Sequence, residues 1–275
     1  MEKKHFDGSY GYDVLHKISE QSGIAVPPLQ DVHTVINPGP KTAKSIADNF
    51  IRYQHEQPPT LGGVTDLTRC LVLFEDYPEI MQYIATRKLG GKVKINENSG
   101  YIGIHGHDNN YNIPGENQIT TPFAYQVKKV ADRIYADIRS WTAYKNSINK
   151  RNLTKADKEM FEAKEADYYK KADMEKELFT MLRDVSGIDK YTDEIKTELK
   201  RYGGDNLDKS KTNHGFDWLN EVYEIDEEGQ IDEKKLKQVL GQNKNHIASA
   251  QSKLCNNVIA PLGKSKIINS KELIG

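Results

Sequence analysis

The spacing of apolar and polar positions divides the chain into a front part that mixes strand and helix periods and a back part that is helical. Residues 12–22 carry a short helical pattern, and VPPLQ and NPGPK punctuate the stretch after it. KTAKSIADNFIRYQHEQ then sets Ile46, Phe50 and Tyr53 on one face of a predicted helix, which PPTLGG breaks. VTDLTRCLVLFED is an apolar, β-branched run ending in acidic turn residues, so it predicts a buried strand. YPEIMQYIATRKLGG predicts a helix closed by its two glycines. KVKINENSGYIGIHGH predicts a hairpin of two strands about a polar turn, and a further strand is expected over 116–121. Pro122 opens a long helix in which Phe123, Val127, Val130, Ile134, Ile138 and Trp141 recur at three- and four-residue spacing as one buried stripe.

After Asn152 the character changes. The stretch 153–188 is a charged helical run opened by a capping-box-like Thr154–Asp157 pair. Residues 201–215 read as a loop, and 231–263 as helix again. The expected organisation is an N-terminal helical lead-in over 1–30, a mixed domain over 31–150 and a helical region over 151–275. No internal repeat is visible. The long charged helix reads as a packed amphipathic helix or an oligomer surface.

The net charge of −1 argues against a globally basic nucleic-acid binder and leaves room only for a local basic groove. The two cysteines, Cys70 and Cys255, lack CxxC spacing, so a reducing compartment or no redox role is expected. No segment approaches the roughly 20 apolar residues of a membrane span, and no signal-like apolar run stands at residues 1–17. A cytoplasmic protein with no membrane partner is therefore expected.

Four clusters in the mixed part fall in an order that suits phosphoryl transfer. Lys41, Lys44 and Ser45 stand at a helix start; Asp66 opens the buried strand, with Arg69 beyond it; GYIGIH supplies Tyr101 and His105; ENQIT supplies Glu116 and Gln118. Two carboxylates on neighbouring strands, Asp66 and Glu116, would hold Mg²⁺ on a nucleotide's phosphates. Strand alternation puts Glu116 and Gln118 on one face. Lysines beside a helix start would cradle phosphates, and a tyrosine would stack on a base. Such chemistry needs positioning and charge neutralisation more than a large acid–base apparatus. Each residue also has a plain structural reading: Asp66 or Ser45 as a cap, Glu116 as a loop carboxylate, Tyr101 as a cross-strand packing ring, His105 as a satisfied core histidine, Lys41 and Lys44 as a solvated face. His107–Asp108 has the look of a phosphohydrolase HD pair, but no second set of spaced histidines and aspartates accompanies it.

The region from Lys41 to Thr121 resembles the synthetase domain of the RelA/SpoT family of alarmone synthetases. Lys41 and Ser45 match the lysine and serine of the family's Arg-x-Lys-x-x-x-Ser motif, and Asp66 matches the strand aspartate. Gly100, Tyr101, Ile104 and His105 match Gly-Tyr-x-Ser-Ile-His, with Gly103 in place of the serine. Glu116, Gln118 and Thr121 match Glu-x-Gln-x-Arg-Thr. The chain departs from the pattern at Gly39, where the first arginine is expected, at Asn49, where a lysine commonly stands, and at Thr120, which replaces the last arginine. Lys44, Arg52, Lys92 and Lys94 are the cations that could compensate.

The resemblance implies an α+β fold, a mixed sheet flanked by helices akin to nucleotidyltransferases, with a helical C-terminal region. It implies Mg²⁺-dependent transfer of pyrophosphate from ATP to the 3′-hydroxyl of a guanosine or adenosine nucleotide. In that scheme Asp66 and Glu116 are catalytic and bind the metal; Lys41, Lys44, Ser45, Arg69, Tyr101, His105 and Gln118 bind nucleotide. Tyr101 stacks on the acceptor base, and Glu116 also serves as general base. Two alternatives stay open: a toxic relative that pyrophosphorylates the tRNA 3′ end, and a catalytically weak module of the same fold that binds a nucleotide or a partner. An antitoxin and a second copy of the chain are the protein partners these readings bring with them.

Overall fold

A computed structural model describes residues 8–47, 66–111, 113–148, 154–203, 233–263 and 266–269. The architecture is α+β, built on one mixed six-stranded sheet. Its strands are β1 (Thr34–Asn37), β2 (Thr68–Leu73), β3 (Gly91–Asn96), β4 (Tyr101–Asn110), β5 (Ile113–Thr120) and β6 (Lys266–Asn269), in the order β3-β4-β5-β2-β1-β6. β2 and β5 run parallel, as do β1 and β6; β1 and β2 are antiparallel, as are β4 and β5. The helices are α1 (Gly8–Ser22), α2 (Tyr77–Arg87), α3 (Pro122–Ile148), α4 (Lys155–Ser186), α5 (Thr192–Arg201), α6 (Glu233–Gln242) and α7 (Lys244–Ile259). No helix among the described residues is long and apolar enough to cross a membrane.

The chain forms two compact units, each discontinuous in sequence, whereas the sequence pattern sets boundaries at 30 and 150. The first gathers residues 1–30, 94–102 and 122–192. Its core joins α1, α3 and α4: Leu15, Ile18, Val127, Val130, Ile134 and Leu178 are fully buried. The stripe predicted on α3 is buried as expected from Val127 to Trp141, and Phe123 packs against it. α4 starts directly after Thr154, at the predicted cap position.

The second unit gathers residues 31–93, 103–121 and 193–275 and carries the greater part of the sheet. One of its apolar clusters joins Ala43 and Ile46 to Leu67, Ile113, Leu236, Ile247 and Ala250, so α6 and α7 close over the entry to β2 and β5. Helix α2 is set by its ends. Asp76 accepts a hydrogen bond from the backbone N–H of Glu79, and Pro78 stands in the first turn, where a missing N–H costs nothing. Its close differs from the expectation of a glycine stop: Lys88 itself takes the left-handed conformation, at φ 51°. Gly91 has a different duty. A Cβ there would stand 2.1 Å from the carbonyl oxygen of His105, so only glycine lets β3 approach β4 this closely.

Two strands lie outside the sequence expectations. β1 falls in the stretch that reads as irregular between two proline-rich breaks, and β6 comes after α7, beyond the last predicted element. Each has four residues, too few to show a period. β5 also begins three residues earlier than expected, so Pro114 and Gly115 lie inside a strand. Ile46 is buried in a helical stretch at 43–47; Phe50, Tyr53, Asn49, Arg52 and most of the loop expected at 201–215 lie outside the described residues.

Candidate active site

Parallel pairing of β2 with β5 builds the site. Arg69 is the register partner of Glu116, and Leu71 of Gln118. β4 lies on the other side of β5, with His105 opposite Gln118 and His107 opposite Glu116. Because strand side chains alternate, Arg69, Glu116, Gln118, His105 and His107 share one face of the sheet. Cys70, Asn117 and Ile104 point to the other. The adjacent residues His107 and Asp108 therefore project from opposite faces, and Asp108 stands 4.0 Å from the Arg87 guanidinium. That arrangement is not the convergent pair a metal phosphohydrolase needs.

Glu116 is almost wholly buried, at 3% exposure, yet it is not alone. One carboxylate oxygen accepts a hydrogen bond of 3.0 Å from the Gln118 side-chain amide. The other stands 2.9 Å from Nδ1 of His105, itself buried. Glu116 is thus held from two neighbouring positions on one sheet face, and the period-two spacing of Glu116 and Gln118 makes the first contact possible.

Lys41 and Asp66 form a second pair. The segment carrying Lys41 is tied to the entry of β2 by the Lys41 backbone N–H, which donates to the Leu67 carbonyl at 2.8 Å. The Lys41 ammonium reaches both oxygens of Asp66, at 2.6 and 2.8 Å. Lys41 is buried, whereas the Asp66 side chain keeps 22% of its surface exposed. Burial pulls the Lys41 pKa below its usual value; the Asp66 carboxylate opposes this, the Arg69 guanidinium adds to it and Glu116 opposes it. Lys41 thus feels the charges of Asp66, Arg69 and Glu116, which links the two pairs electrostatically through the lysine.

Lys44 is exposed on the helical stretch at 43–47. Ser45 is not the cap of that stretch: the Ser45 backbone N–H donates to the hydroxyl of Thr42, 3.2 Å away, so Thr42 takes that role. Tyr101 belongs to the helical unit, where its ring meets Phe179 edge-on at 5.2 Å between centroids. Arg69 has its backbone held from α7: its N–H donates to the Gln251 side-chain oxygen at 3.0 Å, and its carbonyl accepts from the Gln251 amide at 2.5 Å. The same amide nitrogen lies 2.9 Å from the Asn37 side-chain oxygen. One buried side chain therefore substitutes for a missing strand neighbour at the point where β1 stops pairing with β2. Neither Gln251, which is 182 residues from Arg69, nor His107 stands among the site residues the sequence predicts, and no local motif signals the first.

No group of three or more His, Cys, Asp or Glu side chains is placed to hold a metal ion among the described residues. A Mg²⁺ bound through phosphates needs only one or two carboxylates, because water and phosphate oxygens complete its shell. Asp66 and Glu116 are the carboxylates that would fill that role. Each of their oxygens makes one of the contacts described, and a carboxylate has lone pairs beyond those.

Comparison of the chain with family models, with curated proteins and with solved structures returned no match.

Proposed function

We propose that the chain is a Mg²⁺-dependent pyrophosphokinase that moves the terminal pyrophosphate of ATP to the ribose 3′-hydroxyl of a guanosine or adenosine nucleotide, on a nucleotidyltransferase-like sheet. The observation that carries this reading is the gathering of Lys41, its partner Asp66 just before β2, Arg69 of β2 and Glu116 of the parallel strand β5, with Gln118 and His105 fixing Glu116. The motif order of the sequence and this convergence support the same assignment.

The chemistry divides among the residues in a balanced way. The acceptor 3′-oxygen attacks the β-phosphorus of ATP; the bond from that phosphorus to the α-phosphate oxygen breaks, and AMP leaves with the bonding electrons. The hydroxyl proton passes to Glu116, whose second oxygen already faces His105. Asp66 and Glu116 would hold Mg²⁺, which supplies charge neutralisation on the donor phosphates when bound. Arg69 sits beside Glu116 to face phosphate oxygens, and the rigid sheet holds both in place before substrate arrives. Lys41 serves twice: it orients Asp66, and it would supply a buried positive charge to the donor phosphates.

One observation favours a second reading, a module of this fold that binds without turnover. Lys41 already spans Asp66 with both hydrogen bonds, the arrangement of a closed structural ion pair. Incubation with γ-labelled ATP and Mg²⁺, separately with GDP, GTP, ADP and deacylated tRNA, decides between them. Label in a guanosine or adenosine product supports the pyrophosphokinase; label in tRNA moves the acceptor to the tRNA 3′ end. ATP left intact with every acceptor rejects transfer and leaves the binding module.

A further inference from the structure

The chain has two cysteines, 185 positions apart in sequence, and folding brings them together. Cys70 points from β2 to the sheet face opposite Glu116, and Cys255 lies in the last third of α7. The packing around them is tight and specific. A Cβ on Gly115 of β5 would meet Leu254 at 3.0 Å, so α7 lies directly on the β2–β5 pair beside Cys70. Gln251, one turn before Cys255, grips the backbone of Arg69 and places its amide nitrogen 3.6 Å from the Cys255 sulfur. The two thiols lie close enough that each shifts the other's pKa, and the Cys70 thiol donates to the Asn117 side-chain oxygen at 2.8 Å. Both residues are buried, at 1% exposure each, and both are free thiols.

We propose that Cys70 and Cys255 are a dithiol–disulfide site, which a peroxide-class oxidant converts to an intramolecular bridge that pins α7 to β2. The steps balance. The Cys255 thiolate attacks one oxygen of hydrogen peroxide, the O–O bond breaks and hydroxide leaves, giving a sulfenic acid. The Cys70 sulfur then attacks the Cys255 sulfur; the S–O bond breaks, and the Cys70 proton leaves with the oxygen as water. Sulfur is oxidised by two electrons in total, and the peroxide is reduced to water and hydroxide.

The environment sorts the roles. The neighbouring Cys70 thiol and the Gln251 amide, 3.6 Å from the Cys255 sulfur, lower the Cys255 pKa, while burial raises that of Cys70. Cys255 is therefore the peroxide-sensitive sulfur and Cys70 the resolving one. Peroxide is close to water in size, so local opening of α7 suffices to admit it. Because Gln251 joins α7 to Arg69, the bridge would fix the helix that braces the candidate site. The proposal itself does not depend on what that site does.

The experiment is a peroxide titration of the full-length protein, followed by alkylation in denaturant and non-reducing peptide mapping. Trypsin cuts after Arg69, Arg87, Lys253 and Lys264, so the expected product is peptide 70–87 disulfide-linked to peptide 254–264. It should be lost on reduction with dithiothreitol, and the protein should stay a single chain on a non-reducing gel. The oxidised form should melt higher by about 5–10 °C, the scale expected for closing so long a loop. Met160, which is exposed, is the internal gauge of oxidant dose. Two alkylatable thiols remaining when Met160 is fully oxidised would overturn the proposal, as would disulfides between chains or sulfinic acid on Cys255 with Cys70 still reduced. Cys70→Ala and Cys255→Ala should each abolish the linked peptide. If either fails to fold, the wild-type map alone decides.

Discussion

The Lys41 ammonium bridges both carboxylate oxygens of Asp66, at 2.6 and 2.8 Å, with the lysine buried and the aspartate partly open to solvent. This pairing makes Asp66 a structural residue as well as a candidate metal ligand. Asp66→Asn leaves a buried cation without its counter-charge, so it should cost about 2–4 kcal/mol of stability as well as any transfer activity. The double variant Lys41→Met/Asp66→Leu, which removes both charges, should recover most of that loss while staying inactive. Urea denaturation of the three proteins checks the pattern. An Asp66→Asn protein as stable as the parent would mean the pair contributes nothing.

Glu116→Gln separates function from folding more cleanly. Glutamine keeps the shape and still accepts the Gln118 amide hydrogen bond, but it loses the charge that faces His105 and would bind Mg²⁺. Stability should change by less than about 1 kcal/mol, while ATP-dependent transfer falls by about 100-fold or more. Full transfer activity in this variant would remove Glu116 from the site.

Gln251→Leu tests the brace behind Arg69. The substitution leaves the Arg69 N–H and carbonyl without their partners in a part-buried setting, so it should cost about 1–3 kcal/mol. Amide exchange at Arg69 should accelerate more than exchange at Val72, which sits where β1 still pairs. Equal acceleration at both positions would mean the effect is general loosening of α7.

Glu175 predicts how the helical unit responds to pH. It lies on α4, and burial raises its pKa to about 7, with the charge of Asp132 on α3 adding to the rise. Lys128 engages Asp132 at 2.6 Å, which limits that second contribution. A carboxyl raised in the folded state binds more protons folded than unfolded between pH ~4.3 and 7, so stability falls as pH rises through that window. Glu175 is partly exposed, so the loss should be about 1–2 kcal/mol after solvent screening. Glu175→Gln should flatten this dependence and raise the melting temperature at pH 8. An unchanged pH profile would show that Glu175 ionises normally.

Much of the secondary structure was legible because it is written in local periods. The α3 stripe, the strand at β2 and the β3–β4 hairpin each repeat over enough residues for burial on one face to leave a pattern. The motif residues of the candidate site were legible for a related reason: Glu116 and Gln118 are two apart, so strand geometry alone puts them on one face.

The rest was decided by residues that meet only in three dimensions. Whether Asp66 is an open ligand or one half of an ion pair depends on Lys41, 25 positions away, being carried to the foot of β2 by a backbone hydrogen bond. The packing of Tyr101 on Phe179, the repair of the β2 edge by Gln251 and the meeting of Cys70 with Cys255 have no local signature at all. Sequence by itself determined which segments could bury a face and which side chains could share one. Tertiary structure decided which distant groups came within hydrogen-bond reach, because that depends on strand order and helix placement, and neither is encoded in any one stretch of chain.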